Sequence, residues 1–144
     1  MVQKANLSDA ATVANLAVQM WDTHSAAELT AEFQALICKA DSAVFLYKEN
    51  DRAIGFAQCG LRYDYVEGTQ TSPVGYLEGV FVEAPYRHRG HGKALVSACE
   101  MWAKEKGCTE FASDCELSNT SSLLFHQKCG FLDVNRIICF TKAL

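Results

Sequence analysis

The hydrophobic pattern of the first 40 residues predicts two amphipathic helices. In the first, which Ser8 is expected to cap, apolar residues lie three or four positions apart: Ala10, Val13, Leu16, Ala17 and Met20. The second is expected to begin at a capping box formed by Ser25 and Glu28, followed by the inward-facing Leu29, Phe33, Leu36 and Ile37. Residues 2–5 predict a short strand ahead of both helices.

Strand-like runs dominate the rest of the chain. Residues 43–48 and 53–63 are separated by a polar turn and predict an antiparallel hairpin, and residues 76–82 predict a third strand. A helix is expected after Gly90 and Gly92, then a strand over 110–114, a helix capped by Ser118 or Asn119, and short strands around 131–134 and 137–142. This order predicts an α+β or mixed α/β sheet layered with helices.

Length and composition narrow the class of protein. The 144 residues, 49% of them hydrophobic, suit one domain over 1–144. No apolar run approaches the ~20 residues that span a bilayer, and the first residues lack a secretory signal, so we expect a cytoplasmic protein without a membrane partner. The net charge of −4 disfavours nucleic-acid binding and is compatible with a cationic ligand.

The seven cysteines do not predict a disulfide framework or a metal site. Their number is odd, no C-x-x-C pair occurs, and no histidine stands at zinc-ligand spacing from a cysteine pair. Most lie in apolar stretches, where a free cysteine behaves as a small hydrophobic residue. We therefore expect reduced thiols in the core and no bound metal.

The strongest local signal is the segment 87–93, Arg-His-Arg-Gly-His-Gly-Lys, between a predicted strand and a predicted helix. Gly90 and Gly92 allow a tight turn and close approach to a ligand, and a helix start presents free N–H groups. With three cationic side chains, the segment predicts a site for the pyrophosphate of a nucleotide-like cofactor. The alternative is an exposed basic loop before an ordinary helix.

The pattern Arg87-x-x-Gly90-x-Gly92 resembles the pyrophosphate loop of the GNAT superfamily of N-acetyltransferases. The apolar strand before it and the Gly130-Phe131 step after it are also similar. The resemblance implies a mixed, mostly antiparallel sheet of six to seven strands with about four helices, and acetyl-CoA as co-substrate. It implies that the cofactor contacts Val80, Phe81, Val82, Arg87, His88, Arg89, Gly90, His91, Gly92, Lys93 and Asn119.

A narrower resemblance is to the aminoglycoside 6'-N-acetyltransferases of Gram-negative bacteria. It is carried by Trp21 with His24, the segments 64–68 and 72–73, Leu77-Glu78-Gly79 and Ala112-Ser113-Asp114. It implies direct transfer of acetyl from acetyl-CoA to an aminoglycoside amine, which gives antibiotic resistance, and by analogy a homodimer. The substrate would contact Trp21, His24, Tyr65, Glu78, Asp114 and Asn135, the last where related enzymes carry an acid.

Two carboxylates are candidates for the chemistry. Glu78 is the one charge in an apolar strand, where alternation places it on the face of Tyr76, Val80 and Val82; it either pairs with a neighbouring Arg or Lys or anchors a substrate ammonium. Asp114 either shapes a turn or removes the proton that an amine must lose before it attacks a thioester. By resemblance both flank the amine, and neither is unambiguously the base.

His126 and the acceptor leave alternatives open. Many members of the superfamily carry, where this chain has His126, a tyrosine that protonates the leaving thiolate; His126 can donate a proton or pack in the core. Two rival functions are a GNAT acetyltransferase for a polyamine or a peptide or protein amine, and a non-catalytic acyl-CoA-binding module. A peptide acceptor predicts an open groove, and the presence of Glu78 and Asp114 argues against the module.

Overall fold

One mixed sheet of five strands forms the centre of the protein, which we describe from a computed structural model of residues 1–144. The strands β1 to β5 cover Val2–Lys4, Ser42–Glu49, Arg52–Arg62, Val74–Val82 and Phe111–Ser113 and lie in that order across the sheet. Neighbours are antiparallel except β4 and β5, which are parallel. The predicted hairpin and the mostly antiparallel sheet are confirmed.

Four α-helices flank the sheet, as the resemblance implied. The helices α1 to α4 cover Ala10–Ala17, Ala26–Ile37, His91–Glu105 and Thr120–Lys128. Two short 3-10 helices, Leu7–Asp9 and Ala84–Tyr86, precede α1 and α3. No helix is both long and apolar enough to cross a membrane.

Of the N-caps predicted for the first two helices, one is confirmed and one is wrong. The capping box is confirmed, because Ser25 Oγ accepts from the Glu28 amide at 3.1 Å and the Ser25 amide donates to the Glu28 carboxylate at 3.2 Å. The expected cap at Ser8 is wrong. Asn6 caps instead, accepting from the Ser8 amide at 2.9 Å, because a 3-10 turn begins the helical segment earlier.

The core is divided by the sheet into two layers. On one face α1 and α2 pack Val13, Leu29 and Phe33 against the sheet residues Leu46 and Phe56. On the other face α3 packs a second cluster, which consists of Leu95, Val96, Cys99, Trp102 and Ala103 with Ala57 and Leu77. Burial on both faces stabilises β3 and β4, the strands that position the site.

The strands expected around 131–134 and 137–142 are absent, so the predicted count of six to seven strands is wrong. The residues have strand-type side chains, but a strand exists only where a neighbour completes its hydrogen bonds, and residues 131–144 pair with no strand of this chain. Their apolar side chains are exposed instead: Leu132, Val134, Ile137, Ile138 and Phe140.

A β-bulge interrupts β4 at Glu78. The consecutive β3 residues Gln58 and Cys59 pair with Gly79 and Leu77, which leaves Glu78 without a partner on β3. A bulge reverses the alternation of the strand. Val80 and Val82 therefore pack in the α3 layer together with Leu77, and the expectation that they share a face with Tyr76 is wrong.

The bulge also marks the point at which β4 and β5 separate. Pairing between them covers only Gly75–Phe111, Tyr76–Ala112 and Leu77–Ser113. The strands then diverge, so residues 78–82 have β3 on one edge and no strand on the other. This open edge is the structural basis of the candidate site.

Candidate active site

The loop before α3 is lined with unused backbone donors. The Arg87 amide donates to the Ala84 carbonyl and the Ala94 amide to the Gly90 carbonyl, but no amide from His88 to Lys93 donates a hydrogen bond within the protein. His88 and Gly90 have positive φ values of 62° and 84°. Free amides at the start of a 15-residue helix are suited to an anion.

Some side chains of this loop are held by contacts within the protein, and others are exposed. Arg87 Nε donates to the Val82 carbonyl at 2.7 Å, so this guanidinium fastens the loop to β4. Arg89 and Lys93 are exposed. The His91 ring packs against Tyr47 at a centroid distance of 4.2 Å and an interplanar angle of 43°, and its buried Nε2 has no partner.

At Gly92 the start of α3 lies against the Phe125 side chain of α4. A Cβ at this position would lie 2.8 Å from Cε1 of Phe125, a separation that real side chains do not tolerate. Glycine thus permits α3, the helix that begins in the segment 87–93, to approach Phe125, the residue before His126.

The strand residues expected to contact the cofactor, Val80, Phe81 and Val82, lie on the open edge of β4. Val80 and Val82 pair with Ala57 and Gly55 of β3, and no strand faces Val80, Phe81 or Val82 on the other side. An unpaired strand edge offers N–H and C=O groups to an extended ligand. This open edge and the segment 87–93 follow one another closely along the chain.

Glu78 and Asp114 belong to one side-chain network. Arg62 forms a bidentate ion pair with Glu78, with distances of 3.1 Å from Nε to Oε1 and 3.0 Å from Nη2 to Oε2. The same guanidinium lies 3.5 Å from the centroid of the Tyr76 ring, and the Tyr76 hydroxyl donates to Asp114 Oδ2. Burial, and then the bond to Asp114, raise the pKa of Tyr76 above its ordinary value.

Arg62 and Tyr76 were not among the predicted site residues. The sequence left open that Glu78 pairs with a neighbouring Arg or Lys, and the structure identifies Arg62 as that partner. The available signal was weak: Arg62 is the next-to-last residue of the predicted strand 53–63, which is paired with the strand of Glu78. Nothing local indicated the contact between Tyr76 and Asp114, which are 38 positions apart.

Trp21 contacts both the core and the strand of Glu78. Its ring lies 6.4 Å from that of Phe33 and 5.9 Å from that of Phe56, and a Cβ on Gly79 would be 2.8 Å from its Cζ2 atom. His24 is exposed, with Nδ1 3.7 Å from the carboxylate of Glu28. These two residues and Glu78 lie outside a cavity that the remaining predicted acceptor-side residues line.

That cavity, of about 740 Å³, brings together the other predicted residues Tyr65, Asp114, His126 and Asn135. Tyr65 is 76% exposed, and Asn135 Nδ2 donates to Glu67 Oε1 at 3.1 Å. Two guanidinium groups, those of Arg62 and Arg136, line the cavity. Six carboxylates do so as well: Glu67, Glu100, Glu110, Asp114, Glu116 and Asp133. The excess of negative charge suits a polycation.

His126 and Asn119 are held by contacts within the protein. His126 Nε2 is 2.8 Å from Ser113 Oγ, and Nδ1 is 2.7 Å from the Ser122 carbonyl, which fixes the ring beside the end of β5. Asn119 is the N-cap of α4, and its side chain accepts from the Ser122 amide at 3.2 Å. This capping confirms one of the two predicted caps for the helix.

The thiols are dispersed through the structure. Cys59, Cys99 and Cys108 are buried, so the expectation of core thiols holds for only part of the set; Cys38, Cys115 and Cys139 are exposed. Burial raises the pKa of the Cys108 and Cys129 thiols, which disfavours the thiolate. No group of three or more His, Cys, Asp or Glu residues is arranged to hold a metal ion.

The sequence is similar to those of known acetyltransferases over most of its length. The model of the acetyltransferase (GNAT) family matches residues 11–131. An aminoglycoside N(6')-acetyltransferase type 1 of Acinetobacter baumannii is 42% identical over 126 residues, which are 87% of this chain and 86% of the relative. One from Stenotrophomonas maltophilia is 36% identical over 144 residues, 99% of this chain and 93% of the relative.

A solved structure agrees along the whole chain. AAC(6')-Iy in complex with the bisubstrate analogue CoA-S-monomethyl-acetylneamine has a TM-score of 0.95 and 35% identity, and the match covers 100% of this chain and 98% of that one. The resemblance stated from the segment 87–92 and the scattered acceptor-side segments is confirmed. This chain belongs to the GNAT family of acetyltransferases.

Proposed function

We propose that this protein is an aminoglycoside 6'-N-acetyltransferase that gives resistance to these antibiotics. The observation that carries the proposal is the position of Glu78 and Asp114, one on each side of the point where β4 and β5 separate. Asp114 borders a strongly acidic cavity, and the open edge of β4 begins beside Glu78. Relatives matched over 86% and 93% of their own length are aminoglycoside N(6')-acetyltransferases.

The cofactor side fits acetyl-CoA. The free amides from His88 to Lys93 would hold the pyrophosphate, with Arg89 and Lys93 adding positive charge. The edge of β4 at Val80, Phe81 and Val82 would hold the pantetheine arm. Asn119, which is exposed at the N-terminus of α4, would also contact the cofactor. When bound, acetyl-CoA supplies a thioester whose carbonyl carbon the amine attacks with loss of the thiolate.

The acceptor side binds and deprotonates an ammonium group. Asp114 keeps one carboxylate oxygen on Tyr76, which leaves Oδ1 to take the proton of the amine. Glu78, which is ion-paired with Arg62, provides a second carboxylate, and Trp21, His24, Tyr65 and Asn135 would contact the sugar rings. Holding both reactants at the separation of the strands contributes as much as the proton transfer itself.

His126 is the proposed source of the proton for the thiolate. Its Nε2 contacts Ser113 Oγ, and its Nδ1 is fixed by a backbone carbonyl. A protonated imidazole could therefore deliver a proton either directly, after releasing Ser113, or through the serine hydroxyl. A His126→Gln variant, which cannot donate an acidic proton, is expected to lower turnover and leave acetyl-CoA affinity intact.

We further propose a homodimer formed by residues 131–144. This segment presents a row of exposed apolar side chains, and its strand-type residues lack a neighbour in their own chain. Changing Ile138 and Phe140 to Asp should yield monomers in analytical ultracentrifugation. Met101→Asp, at an exposed apolar residue of α3, is the matched control; equal assembly of all forms would contradict the proposal.

The seven free thiols support a reducing compartment, and we place the protein in the cytoplasm, where acetyl-CoA is made. The function itself is tested by thiol release from acetyl-CoA, with kanamycin or tobramycin compared with paromomycin, which has a hydroxyl group at the 6' position. Release with the 6'-amino compounds alone supports the proposal. Release only with polyamines or peptides would mean that the enzyme acetylates another class of acceptor. No release with any amine would indicate a non-catalytic acyl-CoA-binding module.

A further inference from the structure

Four side chains from three adjacent strands form a continuous chain across the acceptor side. Arg62 ends β3, Tyr76 and Glu78 belong to β4, and Asp114 follows β5. The guanidinium of Arg62 contacts both β4 residues, and the hydroxyl of Tyr76 reaches Asp114. The two candidate catalytic carboxylates are thus connected through exactly one arginine and one tyrosine.

The fold places these groups together in a defined way. The bulge leaves Glu78 without a partner on β3, and its carboxylate is turned toward Arg62, the last residue of that strand. Asp114 is the first residue after the parallel pairing ends at Leu77 and Ser113. Both carboxylates would be free to change conformation at the separation of the strands if nothing else held them.

We propose that Arg62 and Tyr76 are positioning residues that hold Glu78 and Asp114 in the geometry needed for amine deprotonation. The inference rests on the proposed function and deepens it. Arg62 engages both oxygens of Glu78 and covers one face of the Tyr76 ring. Tyr76 engages Oδ2 of Asp114 and so leaves Oδ1 for the amine.

The type of each residue matters. A planar guanidinium can form a fork with a carboxylate and stack on an aromatic ring at the same time, whereas an ammonium cannot do both. Tyr76 is 6% exposed, and its raised pKa keeps the phenol protonated, so it remains a donor to Asp114 across the working range of pH. Arg62 therefore fixes the Tyr76 ring, and the Tyr76 hydroxyl always donates its hydrogen bond to Asp114.

The kinetic test uses Arg62→Met, Tyr76→Phe, the double variant and Arg62→Lys, with an amine that the wild type acetylates. We expect each single change to lower kcat about tenfold, with the KM for acetyl-CoA unchanged, since each removes contacts to a charged group. The double variant should lose little more than the worse single variant, because both act through one network. Arg62→Lys should recover less than half of the loss on a logarithmic scale.

Arg52→Met is the matched control. Arg52 also lies on β3, forms an ion pair with Glu83 at 2.9 Å and lies 5.8 Å from the centroid of Tyr86, but it does not contact either candidate carboxylate. Its turnover should stay within twofold of wild type. Wild-type kcat in Arg62→Met, full recovery by lysine, or equal losses of kcat and acetyl-CoA affinity would each overturn the proposal.

A structural readout separates this proposal from the function on which it rests. In a crystal structure of the unliganded Arg62→Met protein, we expect Glu78 to leave its present conformation and Asp114 to lose its single orientation. That result would support the positioning role even if no aminoglycoside were acetylated. Unchanged conformations of both carboxylates would overturn the role even if the wild-type enzyme acetylates every 6'-amino compound tested.

Discussion

The two halves of the proposed site, one for the cofactor and one for the acceptor, are built from different parts of the chain. The cofactor half presents backbone amides from one continuous segment, His88 to Lys93, and the glycines in it set the path of the main chain. The acceptor half depends on side chains from three strands, with Arg62, Tyr76 and Asp114 in contact. Backbone donors persist when side chains change, so the cofactor half should tolerate substitution far better than the acceptor half.

The largest effect is expected on the acceptor side, at Asp114. Asp114→Asn keeps an acceptor for Tyr76 but cannot take a proton from the amine, so kcat should fall by roughly 10²–10⁴-fold with acetyl-CoA affinity unchanged. Steady-state kinetics and calorimetric titration of acetyl-CoA measure the two quantities. Glu116→Gln, an exposed carboxylate of the same cavity, is the control and should remain active. A large loss of acetyl-CoA binding in Asp114→Asn would remove its assignment as a base.

An intermediate effect is expected on the cofactor side, where backbone geometry is disturbed. In Gly92→Ala the new methyl group would meet Phe125 at 2.8 Å, and the strain of overpacking, about 1–3 kcal/mol, exceeds the helical preference for Ala over Gly of at most about 1 kcal/mol. The loop should shift, which raises the KM for acetyl-CoA about tenfold with little change in kcat.

Deleting the Arg89 side chain in the same loop is expected to weaken acetyl-CoA binding less than Gly92→Ala does. Arg89 is exposed, and its guanidinium lies 5.8 Å from the Tyr86 ring, so Arg89→Ala should change the KM for acetyl-CoA by less than about fivefold. A greater loss in Arg89→Ala than in Gly92→Ala would show that charge, and not the main chain, dominates cofactor binding.

The sequence predicted local features better than contacts between distant segments, and the reason is physical. The Ser25 capping box and the Arg87–Gly92 loop depend on neighbours within a few positions. The contact of Tyr76 with Asp114, the bulge at Glu78 and the missing C-terminal strands depend on pairing between distant segments. Periodicity identifies a strand-type segment such as 137–142, but it cannot supply the neighbour that makes it a strand.

The smallest effect concerns the loop over the acceptor cavity and appears only in acid. Glu110 accepts from the Thr71 hydroxyl and from the Gln70 amide at 2.9 Å, and these bonds hold its pKa below the ordinary 4.5. A lowered pKa in the folded state stabilises the protein fully above that ordinary value, and the contribution disappears as the pH falls through the lowered pKa.

Melting temperature measured against pH tests this sign. Glu110→Gln should match wild-type activity within twofold at pH 7 and lose less stability than wild type as the pH falls below about 4.5. Glu32→Gln, at an exposed position of α2, should follow the wild-type curve. Parallel curves for wild type and Glu110→Gln would mean that the carboxylate does not anchor the loop.

The close packing of Trp21 on Gly79 bears on how the enzyme can adapt to new antibiotics. The indole ring fills the space that any side chain at position 79 would need, and it is also stacked on Phe33 in the core. A wider opening there would require simultaneous changes in the core and in β4. Tyr63 and Tyr65, which are 60% and 76% exposed, carry no such constraint. Variants selected on a bulkier drug are therefore expected to change first in the loop 63–73, between β3 and β4.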